Sequence, residues 1–208
     1  SVQQAQGRWA LGSSLDAAVD AQLSLTQVTV RQPGGAPGPS LDSAALQLQG
    51  TGRAHTLDLR ADSRAQPPSW VDTVQGTTTP PDAHTLATLR LQGGLVGAGA
   101  GAVPNGWRGT VQQFDVRSGG PAASNAPPLA RGRDLQIAAS WGDAAPRASV
   151  QPGRIDLLGG AVRWSRAEWA GASAGGAPAR LELQAEVDPV RVAPLLARVQ
   201  PDFGWSGN

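Results

Sequence analysis

The sequence predicts an all-β protein built mainly from antiparallel, amphipathic strands, and three observations lead there. Aliphatic and polar residues alternate with a period of two, as in Leu46/Leu48 against Gln47/Gln49 or Leu57/Leu59 against Asp58/Arg60. Gly, Pro, Asn and Asp clusters interrupt the alternation at intervals of roughly ten to twenty residues, which suits short strands joined by turns. Helical periodicity is missing between most of these runs, which argues against strand–helix–strand units and for an antiparallel sheet, a sandwich or an open barrel.

Taken in order, the alternating runs are Leu46–Gln49, Thr56–Arg60, Ala87–Gln92, Leu135–Trp141 and Leu181–Val187. In each, the two residue sets point to opposite sides of the sheet, giving one apolar and one polar face. Two places break phase: Leu23 and Leu25 are odd while Val28 and Val30 are even, and Val111 is out of step with Phe114 and Val116. A one-residue slip would carry an apolar set to the wrong face, so each break predicts a β-bulge. Gln32–Ser40, Asp62–Pro81, Gly97–Gly106, Gly119–Pro128 and Gly171–Pro178 read as connecting loops. One short helix is expected near the C-terminus. Asp188 caps it, Pro189 opens it, and Val192, Leu195, Leu196 and Val199 form its apolar stripe, with Pro194 as a kink or a later start.

Composition narrows the function classes. Charged residues make up 16% of the chain, against about 25% in an average soluble domain. The net charge is +1 and all 17 basic side chains are Arg, scattered singly. Nucleic-acid binding would require a basic stripe, and none is present. There is no Cys, hence no disulfide framework and no thiolate metal site. No apolar run approaches the roughly 18 residues of a membrane-spanning helix. The chain starts at Ser1, contains no Met and stops at Asn208 in mid-pattern. Residues 1–208 are therefore expected to be an internal segment of a larger protein, truncated at both ends.

Catalytic motifs fail on context. Gly171-Ala172-Ser173-Ala174-Gly175 matches a nucleophile elbow, but both histidines lie upstream where a downstream one is needed, and Ser173 sits in an Ala/Gly tract after Trp169. The Gly97–Ala102 alternation imitates a dinucleotide-binding turn yet runs into Pro104-Asn105-Gly106 where a helix is needed. His55 and His84 stand apart from any carboxylate cluster in the sequence. His55 reads as a polar surface residue on the face opposite Leu57, and His84 as a neighbour of a Pro-Pro-Asp turn. No catalytic residue, metal ligand or cofactor is expected, and the chain is expected not to be an enzyme. Seven Trp accompany only two Phe and no Tyr; spread evenly, they are expected to plug the core at strand ends.

Several ordered pieces resemble the TamB-like members of the AsmA superfamily. Leu181–Gly207 resembles that family's unit of strand, short Pro-rich helix and Phe-Gly-Trp-Ser-Gly lead-in to the next strand. Gly106-Trp107-Arg108-Gly109-Thr110-Val111 is similar to its Trp-x-Gly strand opening, and Ala54–Leu59 with Leu89–Leu95 to the preceding strand pair. Leu158–Trp164 resembles a turn and strand that follow. The resemblance implies an elongated open sheet folded lengthwise into a trough, a β-taco. It further implies an inner-membrane-anchored protein of a Gram-negative bacterium whose periplasmic part carries phospholipid acyl chains toward the outer membrane, with a TamA-like β-barrel as a possible partner. The groove lining would then be Leu46, Leu48, Leu57, Leu59, Leu89, Leu91, Leu135, Ile137, Ile155, Leu157, Leu181, Leu183 and Val187. Alternation by itself fits the sealed core of a sandwich or solenoid better, such as an adhesive exported segment. Assembly of barrel proteins through edge-strand pairing is a further alternative.

Overall fold

The computed structural model describes residues 2–12, 14–31, 37–64, 71–72, 82–97, 103–119, 128–142, 145–172 and 178–188. The protein is all-β. Its strands are β1 (Val2–Leu11), β2 (Ala18–Arg31), β3 (Pro37–Thr51), β4 (His55–Ser63), β5 (His84–Val96), β6 (Gly106–Gly119), β7 (Pro128–Ser140), β8 (Arg147–Val150), β9 (Gly153–Leu157), β10 (Gly160–Ala170) and β11 (Arg180–Asp188). They form one antiparallel sheet in the order β1-β2-β3-β4-β5-β6-β7-β8-β10-β11, with β9 between β7 and β10 beside β8. Neighbours in sequence are neighbours in space, the arrangement that short turns allow without crossovers. Among the described residues no pairing joins β1 to β11, so the sheet has two edges. The expected helix at Val192–Val199, together with Trp70, Ser173 and Trp205, lies outside the described residues. Two expected loops are shorter than read, because β3 already begins at Pro37 and β4 continues to Ser63.

β8 and β9 are two halves of one strand. Ile137↔Val150 and Gly132↔Ile155 keep a single register against β7, and Ala167↔Val150 and Trp164↔Gly153 keep one against β10. The interruption falls at Gln151-Pro152, where proline has no N–H for the ladder. The backbone groups freed there are still satisfied. Gln151 N donates to Gln136 O at 3.0 Å, and the Trp164 indole Nε1 donates to Gln151 O at 2.8 Å.

Both phase breaks are present, but only the one at Val111/Phe114 is the expected bulge. At Val111/Phe114 the register against β5 slips by one residue, with Leu91↔Val111 and Arg90↔Gln113 leaving Gln112 as the extra residue. The break then continues through the neighbouring strands. In β7 it falls between Gly132 and Leu135, where Asp134 has φ +55°. It follows at the β8–β9 joint and lies between Trp164 and Ala167 in β10, where a second slip against β11 ends it. Inside this band each strand changes phase as its neighbour does, so no further slip is needed there. At Leu25/Val28 there is no extra residue against β1 or β3. Gln27 instead adopts φ +50°, and the phase change is shared by Val2/Ala5 and Leu41/Ala44.

A test follows from this band. Deleting Gln112 leaves Val111, Gln113 and Phe114 in plain alternation against β5 and passes the extra residue to Asp134, which already has a left-handed backbone. The cost should stay within about 1 kcal/mol. Deleting Arg90 makes Leu89 and Leu91 adjacent, so one leucine set must turn to the polar face; the loss should be about 3 kcal/mol or more. Urea unfolding of the two deletions measures the contrast.

Candidate functional site

The sheet register brings the thirteen expected lining residues onto one face. One cross-strand row runs through every lane of the sheet: Gly7, Leu23, Leu46, Leu59, Leu89, Phe114, Gly132, Ile155, Val162 and Val187. A parallel row holds Trp9, Ala21, Leu48, Leu57, Leu91, Val111 and Leu135. Leu157 lies in a row of smaller residues with Leu25, Ala44, Ala61, Ala87, Val116 and Ala130. Ile137 and Leu183 share the row of His55, Gly93, Gly109, Val150 and Ala167, and Leu181 stands opposite Trp169. Nine lane spacings of about 4.8 Å make the first row about 43 Å long.

Little of this face is sealed. Val71, Ala83, Val111 and Ala161 are the buried hydrophobic residues among those described. The leucines of β3 to β5 are half-buried by their row neighbours, and at the β11 edge Leu181 is 70% exposed and Leu183 60%. A sandwich core would bury such residues almost completely. Among the described residues no second sheet lies on them.

The five tryptophans among the described residues are not core plugs. Trp9 is 74% exposed, Trp141 and Trp169 are each 41% exposed, and Trp107 and Trp164 are half-buried. Two of them lie over glycines instead. A side chain at Gly93 or Gly109 would overlap the Trp107 ring, and one at Gly153 would meet Trp164. Phe114 covers Gly132 in the same way. The missing Cβ atoms let the rings lie flat against the sheet, which keeps the apolar surface low and continuous.

His55 corrects the sequence reading, because it shares the apolar face with Leu57. Its Nε2 accepts from the Trp107 indole Nε1 at 3.1 Å, and its Nδ1 lies 3.2 Å from Thr51 O. The indole can only donate, so Nε2 must be unprotonated, and Nδ1–H then donates to the carbonyl. This neutral tautomer satisfies both polar groups within an otherwise apolar surface. His84 is not isolated either. Its Nδ1 lies 2.9 Å from Asp62 Oδ1 and 3.7 Å from Asp42 Oδ2, while Arg64 Nε contacts Asp42 Oδ2 at 3.0 Å. One nitrogen and two carboxylate donors within 4.8 Å of one another are a set that a divalent cation accepts. Here Arg64 and the His84–Asp62 pair already satisfy those carboxylates. The cluster is invisible in sequence because it needs the β3–β4–β5 register.

The opposite face is polar and laced with ion pairs. Arg90–Asp58 (2.7 Å) joins directly opposed residues, and Arg117–Asp115 (2.5 Å), Arg163–Asp188 (2.8 Å) and Arg166–Glu182 (3.0 Å) follow. Asp156 receives both Arg131 (2.7 Å) and Arg154 (3.1 Å). The Arg131 hydrogen bond, outweighing partial burial and aided by Arg154, holds its carboxyl below the ordinary carboxylate range. No family model, curated protein or solved structure matches the chain.

Two outcomes are expected. Gly109→Val forces Trp107 off the sheet and should cost about 2 kcal/mol, read from the urea midpoint and a red-shifted Trp emission. Asp156→Asn should cost less than about 1 kcal/mol at pH 7, since the pair is half-exposed. Its folded-state value lies below the unfolded one. The stabilisation is therefore complete above the unfolded titration near pH 4 and vanishes as pH falls through the folded value. Unfolding curves of both proteins from pH 7 to pH 2 should converge.

Proposed function

We propose that this chain is a segment of a lipid-transfer conduit of the TamB/AsmA-like kind, carrying phospholipid acyl chains across the periplasm in support of outer-membrane biogenesis. The observation that carries the reading is the apolar row crossing every lane of the sheet without a second layer on it among the described residues. Each CH₂ removed from water contributes about 0.8 kcal/mol, so a sixteen-carbon chain would lose on the order of 12 kcal/mol on entering water. A route through an aqueous compartment therefore needs an unbroken apolar surface. In this reading the sheet curls lengthwise into a trough around the acyl chains, and no chemical step takes place. The protein is anchored in the inner membrane outside these residues and meets a TamA-like barrel at the outer membrane. A second reading, assembly of barrel proteins by strand addition, draws on the β11 edge, which has no outer partner among the described residues and where Leu181, Leu183 and Val187 are all exposed.

A photoreactive residue placed at Leu89, Leu183 or Arg90 tests the proposal in a Gram-negative host. Lipid adducts should form at Leu89 and Leu183 and be rare at Arg90. Mass spectrometry showing none at the leucines, or equal yields at all three, would overturn it. Adducts to barrel proteins from Leu183 alone would favour strand addition.

A further inference from the structure

Most arginines of the polar face lie on a carboxylate. Arg90, Arg117, Arg131, Arg154, Arg163 and Arg166 all do. Of those with no carboxylate partner among the described residues, Arg60 and Arg133 each line a separate cavity without another such arginine. Arg108 and Arg147 are different. They border the same cavity of about 490 Å³, and Arg180 stands on its far wall.

The register explains why they converge. Arg108, Ala138, Ser149, Glu168 and Glu182 are successive partners across β6, β7, β8, β10 and β11, and Ser140, Arg147, Ala170 and Arg180 form the next row toward the sheet end. Two lanes and two residues separate the Arg108 and Arg147 backbones, roughly 12 Å, a distance that two extended arginine side chains span. The floor between them is made of small residues, Ala138 and Ser149, which leaves room above it. The two carboxylates on the wall are already engaged, since Arg166 pairs with Glu168 at 3.1 Å and with Glu182 at 3.0 Å. Arg180 reaches Glu182 only at 3.7 Å.

We infer that this cavity is a binding site for a phosphate group, held by Arg108 and Arg147 with Arg180 as a third donor. Guanidinium groups match phosphate oxygens in paired hydrogen bonds, and several can share one phosphate because it offers acceptors in three or more directions. A carboxylate can take two arginines in its plane, as Asp156 does here, whereas the tetrahedral oxygens of a phosphate can face three arginines standing on different lanes. The Ser140 and Ser149 hydroxyls add neutral donors at the floor. The phosphate belongs either to a phospholipid headgroup or to a free phosphate ester. This site lies on the face opposite the apolar rows and does not depend on the lipid-conduit reading.

The test uses the 208-residue chain in phosphate-free buffer. Inorganic phosphate should shift the Arg108 and Arg147 side-chain resonances saturably. The Arg108→Gln/Arg147→Gln double variant should bind about tenfold more weakly or worse, whereas Arg60→Gln/Arg133→Gln should bind like the parent. Flotation with phosphatidylglycerol vesicles, against phosphatidylcholine vesicles, separates the sources. Recruitment that needs Arg108 and Arg147 assigns a headgroup; phosphate binding without recruitment assigns a free ester. Non-saturable shifts, or equal weakening in both double variants, would mean diffuse charge and overturn the site. Failure of lipid adducts at Leu89 with intact phosphate binding would refute the conduit and leave this site standing.

Discussion

A strand's side chains alternate faces strictly, so a wide sheet keeps one face apolar only if every strand holds the same phase as its neighbours. That constraint organises this molecule. The sequence of β6 places two polar residues, Gln112 and Gln113, between Val111 and Phe114, and a regular strand would then send one of the two to the polar side. The slip against β5 prevents this, but it also hands the altered phase to β7. Asp134 takes it up with a left-handed backbone, the Gln151-Pro152 interruption takes it up in the next lane, and a slip at Ser165 returns β11 to plain alternation. The defect thus has a beginning and an end, and the apolar rows run through it unbroken.

The same requirement accounts for the aromatic–glycine pairs. Where two strands must stay in register beside a bulge, a tall ring standing between lanes would split the row. Gly93 and Gly109 under Trp107, Gly132 under Phe114 and Gly153 under Trp164 let those rings lie flat. Laying Trp107 down leaves its indole N–H close to the sheet, and His55 supplies the acceptor. A histidine on the apolar face is thus the partner a flattened tryptophan requires. Trp164 solves the same problem with the Gln151 carbonyl, which the proline joint had released from the ladder.

Much of this was legible in the residues. Alternation in Leu46–Gln49, Thr56–Arg60 and Leu181–Val187 fixed which side chains share a face, and the break at Val111/Phe114 located a bulge. What escaped was everything requiring to know which strand lies beside which. The polarity of His55 suggests a wet face, whereas its position two residues before Leu57 places it on the apolar one. Asp42, Asp62 and His84 are far apart in sequence and meet only through two hairpins. The tryptophans suggested a core because a large ring is normally buried, yet a ring lying on glycine covers backbone without needing a second layer.

The two faces therefore divide the chemistry between them. On the polar face, much of the charge is matched in place: Asp58 by Arg90, Asp115 by Arg117, Asp156 by two arginines. Such pairs add little stability individually, being solvated. Toward the β6–β11 end Arg108 and Arg147, without carboxylate partners among the described residues, share a cavity, and Leu181 and Leu183 are exposed on the reverse side of the edge strand that bears Arg180. An amphiphile meeting β11 would find apolar surface on one side of a single strand and guanidinium groups on the other.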